Sequence, residues 1–169
     1  MKFSFSTLGC PYYTFEEMID LAKRSGYTGV EFRIYKGTED LRVLEEFQRP
    51  GIGATRRLFQ EAGLQVACVS SSARFAYPDP ENLKTQLKLA EDFMQIASDL
   101  ECPYVRVFGG PYPLNFTDRP KAEPFIEEYR ASIPPEKIAG LTREECDKWI
   151  MESLGKVGDM GKKYGVMPL

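Results

Sequence analysis

Short runs of strand character alternate with amphipathic helical patterns along nearly the whole chain, and this alternation limits the fold more than any other feature. Residues 3–7 (FSFST) alternate apolar and polar side chains with the period of a strand. Runs of the same kind recur at 28–34 (TGVEFRI), 65–70 (QVACVS) and 103–108 (PYVRVF). Val166-Met167-Pro168-Leu169 has the character of a fifth strand's opening.

The segments between these runs carry helix start and stop signals. Thr14 and Glu17 have capping-box spacing, Phe15, Met18, Ile19 and Ala22 share one helical face, and Gly26 supplies a left-handed stop. A short helix is expected near 39–47, then a break at Pro50–Gly51 and a helix over about 54–62. Asp79 and Pro80 open a helix running to about Leu100, with an acidic cap and proline in the first turn. An irregular insertion spans about 111–141, in which AEPFIEEYRA has helical character. Thr142 and Glu145 form a second capping box for a helix through Met160, with Gly165 as its stop.

Strands separated by helices imply parallel pairing with right-handed crossovers. An open nucleotide-binding sheet requires a glycine-rich turn after its first strand, and Leu8-Gly9-Cys10-Pro11-Tyr12 is not one. The expected fold class is therefore α/β, a parallel (β/α) barrel of TIM type. A complete barrel takes about 250 residues. These 169 residues are accordingly expected to be the N-terminal portion of a single (β/α)8-barrel domain, truncated after about four βα units.

Strand parity then places the polar groups. Val30, Phe32 and Ile34 share one face of the second strand, and Glu31 and Arg33 the other. Val105 and Val107 oppose Tyr104, Arg106 and Phe108 in the fourth, and Phe3 and Phe5 oppose Ser4 and Ser6 in the first. Helices need the apolar faces, so Glu31, Arg33 and Arg106 are expected inside, near the strand C-termini where barrels bind substrate. Charges there must be paired or used. Both a self-neutralising ion-pair network and a substrate-binding cluster satisfy that requirement. Ser70, Ser71, Ser72 and Arg74 are expected in a turn at the same end; such a turn suits hydroxyl or phosphate groups, but an ordinary surface loop is the favoured reading.

Composition removes several function classes. The net charge of −3 offers no basic footprint for nucleic acid. No apolar run approaches the ~20 residues of a membrane-spanning helix, and MKFSFSTLGCPYY lacks the pattern of a secretory leader. There is no histidine, and the cysteines at 10, 68, 102 and 146 form no metal-binding spacing. Reduced thiols in a cytoplasmic protein are the expectation.

The runs FSFSTLGCP, GYTGVEFR, GLQVACVSSSARF and PYVRVFGG, in this order, resemble the sugar phosphate isomerase/epimerase family of xylose isomerase-like TIM barrels. The resemblance covers essentially everything outside 111–141. It implies a sugar or sugar phosphate substrate and a divalent metal (Mn, Mg, Co or Zn) that polarises a carbonyl while paired glutamates move a proton through an enediolate. It also implies that the metal ligands follow strands five to eight, the first being a glutamate shortly after a segment like GVMPL, where this sequence ends. No catalytic or metal-binding residue transfers. Glu31, Arg33, Arg106, Ser70 and Arg74 transfer as substrate-binding residues. The chain alone is expected to hold no metal, to be inactive, and to associate with itself or with a complementing C-terminal half. A non-catalytic scaffold is the alternative, and an apurinic-site endonuclease the reading that the acidic balance disfavours.

Overall fold

A computed structural model describes residues 1–116 and 123–169. Five parallel strands, β1 (Ser4–Ser6), β2 (Gly29–Phe32), β3 (Gln65–Arg74), β4 (Tyr104–Phe108) and β5 (Met167–Pro168), form one sheet whose spatial order is the chain order. The connecting helices are α1 (Phe15–Ser25), α2 (Ile52–Glu61), α3 (Pro80–Asp99), α4 (Pro124–Ala131), α5 (Pro135–Ile138) and α6 (Arg143–Tyr164). This is the α/β, TIM-type arrangement that the alternation predicts.

Local chemistry starts and stops the helices. The Thr14 hydroxyl accepts from Glu17 N at 3.2 Å, while the Glu17 carboxylate accepts from Thr14 N at 2.7 Å. Gly26 ends α1 at φ 71°, a left-handed conformation that costs glycine little. Asp79 caps α3 by accepting from Asn82 N at 2.8 Å. The Thr142–Glu145 box opens α6, which continues beyond Met160 to Tyr164.

The core lies between the sheet's outer face and these helices. Val30, Phe32, Val66, Val69, Val105 and Val107 are buried there with Met18, Ala22, Phe59, Ala90, Phe93 and Met94. Phe15 stacks on Tyr35 at 4.6 Å and meets Phe32, Phe47 and Phe59 edge-on, which fixes α1 over β2.

Three elements differ from expectation. The 39–47 segment forms two 3-10 turns, Leu41–Val43 and Glu45–Phe47, burying Leu41 and Phe47 as single anchors. β3 extends four residues past Ser70, so the expected serine-rich turn is strand. Part of the expected insertion is helical, as α4 and α5, and residues 117–122 at its centre lie outside the described residues, as does Ala122 of the expected AEPFIEEYRA helix. No described helix is long and apolar enough to cross a membrane.

Candidate functional site

Register brings the polar groups together on the face opposite the helices. Ser6 of β1 stands beside Glu31 of β2, Glu31 beside Cys68 of β3, and Ser70 beside Arg106 of β4. Paired residues in a sheet share a face, so Glu31, Cys68, Ser70 and Arg106 line the same side. An irregularity in the pairing falls between Val30 and Glu31, which keeps Val66 and Val69 both under the helices although they are three residues apart.

Glu31 is the hub. Its Oε1 accepts from the Ser70 hydroxyl and forms an ion pair with Arg106, 3.3 Å from Nη2. The Glu31 side chain is 18% exposed and that of Arg106 38%, so this pair is half-sheltered from water. Arg33, expected in the same cluster, is paired elsewhere: it donates to Ser72 Oγ at 2.9 Å and to Glu39 at 2.8 Å. The two guanidiniums nevertheless meet over one ring, Arg33 at 5.8 Å and Arg106 at 5.4 Å from the centre of Phe108. Sequence parity had set Phe108 on this face, but an aromatic side chain gave no polar signal to single it out.

Thr7 supports this arrangement from β1's C-terminal end. Fully buried, its hydroxyl accepts from Arg33 N at 2.9 Å and Ile34 N at 3.1 Å, holding the backbone just after β2. Ser71 does comparable work across the long β3, where four steps from Ser70 to Arg74 oppose two from Arg106 to Phe108. Its buried hydroxyl donates to the Arg106 carbonyl at 2.9 Å and accepts from Ala73 N at 3.3 Å. Both backbone groups are thereby satisfied where the ladder is interrupted.

Arg74 is paired with Phe108 in the β3–β4 register and so borders this cluster, without an ion pair to Glu31. Its N–H donates to Gln86 of α3 at 2.9 Å, and its positive charge acts on the Tyr129 hydroxyl of α4, offsetting part of the rise in pKa that burial imposes there. Tyr112, beyond β4, donates to Asp147 of α6, and Arg130 of α4 donates to the Tyr112 and Leu114 carbonyls at 3.2 Å each. These bonds tie the post-β4 loop, α4 and α6 together.

The thiols are weak nucleophiles here. Burial, then the Glu31 charge, pushes Cys68 up, and burial pushes Cys102 up to about 12. All four cysteines are free.

A divalent cation of the kind expected from the resemblance needs several convergent carboxylate, imidazole or thiolate donors. Among the described residues no three such groups converge, and Glu31 Oε1 already receives the Ser70 hydroxyl and is ion-paired with Arg106. These residues do not fit a metal.

Comparison with known proteins supplies a context for this face. Residues 19–169 match the model of a family described as xylose isomerase-like TIM barrels. No curated protein matches the sequence. Among solved structures, the chain superposes on the IolI protein with a binding zinc atom (16% identity, TM-score 0.67, 99% of this chain and 50% of that one). It also superposes on D-psicose 3-epimerase from Clostridium cellulolyticum, solved with D-tagatose (14%, 0.64, 99% and 51%), and on mannonate dehydratase from Streptococcus suis (17%, 0.62, 99% and 52%). At these identities the likeness shows the fold, and the chain spans about half the length of each structure.

Proposed function

The chain belongs to the xylose isomerase-like TIM barrel family, and from that premise we propose that it carries the substrate-holding part of a sugar isomerase or epimerase site. The observation that carries this reading is the Glu31 carboxylate. It stands on the helix-free face near the strand C-termini and is held by Ser70 and Arg106 rather than buried among apolar groups. Barrels of this class bind substrate at that end. The structures on which the chain superposes include an epimerase solved with D-tagatose, which supports carbohydrate as the ligand.

The reaction is proton transfer between adjacent carbons through an enediolate. The part played by these residues is binding and orientation. Glu31 and Arg106 hold hydroxyls, Phe108 lies against the carbon skeleton, and Ser70 fixes the Glu31 carboxylate. Arg33 and Ser72 brace the edge of the cluster, and Arg74, beside Phe108 in the register, is assigned to a further contact with the ligand. The role assigned to these residues is to bind the sugar and orient it. Four free thiols fit a reducing compartment such as the cytoplasm.

Saturation-transfer NMR of the chain with free ketoses and aldoses tests this reading. Transfer to sugar protons that disappears in Glu31→Gln supports it. Absence of transfer from every sugar, with the protein folded by circular dichroism, overturns it.

A further inference from the structure

The crevice between α3 and α6 carries features that the sugar reading leaves unused. Leu83, Leu87, Trp149 and Met160 line it, and its open volume is about 510 Å3. Lys84, Lys88 and Lys156 stand along its rim against one acid, Glu91. Glu91 is committed, accepting from the Tyr164 hydroxyl at 2.8 Å and from Lys163 at 3.3 Å. Lys88 pairs with Asp92 at 2.6 Å, whereas Lys84 and Lys156 have no ion pair among the described residues. On a chain of net charge −3 this is a local excess of positive charge around an apolar floor. Trp149 also keeps its Nε1–H buried without an acceptor.

The same chain exposes a ridge of matching shape and opposite sign. On α4, Ile126 and Tyr129 are half-buried, while Phe125 is 57% exposed. Glu128 lies about one turn beyond Phe125 on the same helical face, exposed and with no ion pair among the described residues. Glu123, just before the helix, is exposed as well. In α5, which follows, Lys137 is pinned to Asp79 at 3.1 Å, and the crevice begins at Pro80, so ridge and crevice lie near the same end of α3.

The geometry points to a second copy of this chain as the occupant of the crevice, with α4 as the inserted ridge. Phe125 seats against Leu83, Leu87 and Trp149, and Glu123 and Glu128 meet Lys84 and Lys156. A single exposed aromatic is ordinary. An aromatic flanked by carboxylates, set against an apolar furrow rimmed by lysines, is complementary in both shape and charge. Because ridge and crevice lie near one end of α3, two copies can exchange ridges about a twofold axis, and each contact is then made twice. The contact uses helices alone, so it is distinct from pairing at the sheet edges and independent of any ligand on the helix-free face.

Charge reversal followed by analytical ultracentrifugation tests the proposal, on variants checked for unchanged fold by circular dichroism. Trp149 is the chain's one tryptophan, so its emission reports on the crevice directly. Glu123→Lys with Glu128→Lys, and separately Lys84→Glu with Lys156→Glu, should each weaken self-association at least about tenfold. Mixing the two reversed proteins should restore one-to-one association to within about threefold of the wild type. Phe125→Ser alters a side chain already exposed in the single chain; it should weaken association similarly and remove the concentration dependence of Trp149 emission. Association unchanged in these variants, or a mixture no tighter than either reversed protein alone, overturns the proposal and assigns the contact to the sheet edges. A wild-type chain that associates without any change in Trp149 emission, or that stays monomeric at roughly 100 μM, overturns it equally.

Discussion

Glu31 satisfies Ser70 and Arg106 at once, so its removal exposes two defects rather than one. Glu31→Ala leaves the Arg106 guanidinium with no carboxylate among its described contacts. Arg106 is more than a third exposed, so water screens most of that loss, and the expected destabilisation is about 1 kcal/mol. Urea unfolding measures it, and Glu31→Gln should recover part through its amide oxygen. Asp79 gives a sharper signature. The Asn82 N–H, and next the Lys137 ammonium at 3.1 Å, hold its carboxyl below the ordinary carboxylate range. A carboxylate with a depressed folded pKa stabilises the fold above its unfolded pKa, and that contribution is lost as pH falls through the folded value. Asp79→Asn keeps a capping oxygen but cannot ionise. The wild type should melt above this variant at neutral pH, with the gap closing below about pH 4. A gap independent of pH would show that the charge of Asp79 contributes nothing.

Elements were legible where one local rule decided them. The Thr14 and Thr142 capping boxes and the Gly26 and Gly165 stops lie where spacing put them, and alternation in β2 and β4 put Glu31 and Arg106 on one face. What escaped depends on two elements at once. Nothing in the sequence of β3 reveals that Ser70 to Arg74 must stretch against only Arg106 to Phe108, so a strand passes for a turn. Arg33 finds Glu39 because the loop after β2 folds back on it, and parity says nothing of loops. The junction of α6 with β5 is another two-element feature. A Cβ on Gly161 would collide with the Val166 carbonyl and come within 2.8 Å of the Pro168 ring. Alanine in an open helix position gains roughly 1 kcal/mol over glycine. Here the obstacle is backbone and a rigid ring, so Gly161→Ala should instead lower the melting midpoint, by roughly 1–3 kcal/mol in stability. Gly158→Ala, with nothing within 4 Å of the added carbon, is the control and should be neutral or stabilising.

For the whole molecule the sheet has two outer strands, β1 and β5, each paired on one side only among the described residues. Phe3 and Leu8 are exposed beside β1, and Met167 and Leu169 in and beside β5. Unpaired edges with apolar flanks template association, so the 169-residue chain should form dimers or larger species in light scattering at micromolar concentration. A monomer unchanged across a hundredfold concentration range would contradict this. The same sheet has a kinetic consequence. Because spatial order follows chain order, no strand has to be inserted between two already paired. During synthesis each strand can dock on the one before it, and the growing edge always belongs to the most recently made segment. Glu31, on the second strand, is translated long before its arginine on the fourth. Ser70, on the third strand, also precedes that charge partner in the chain. The Glu31–Arg106 pair is therefore completed only once the fourth strand has been made.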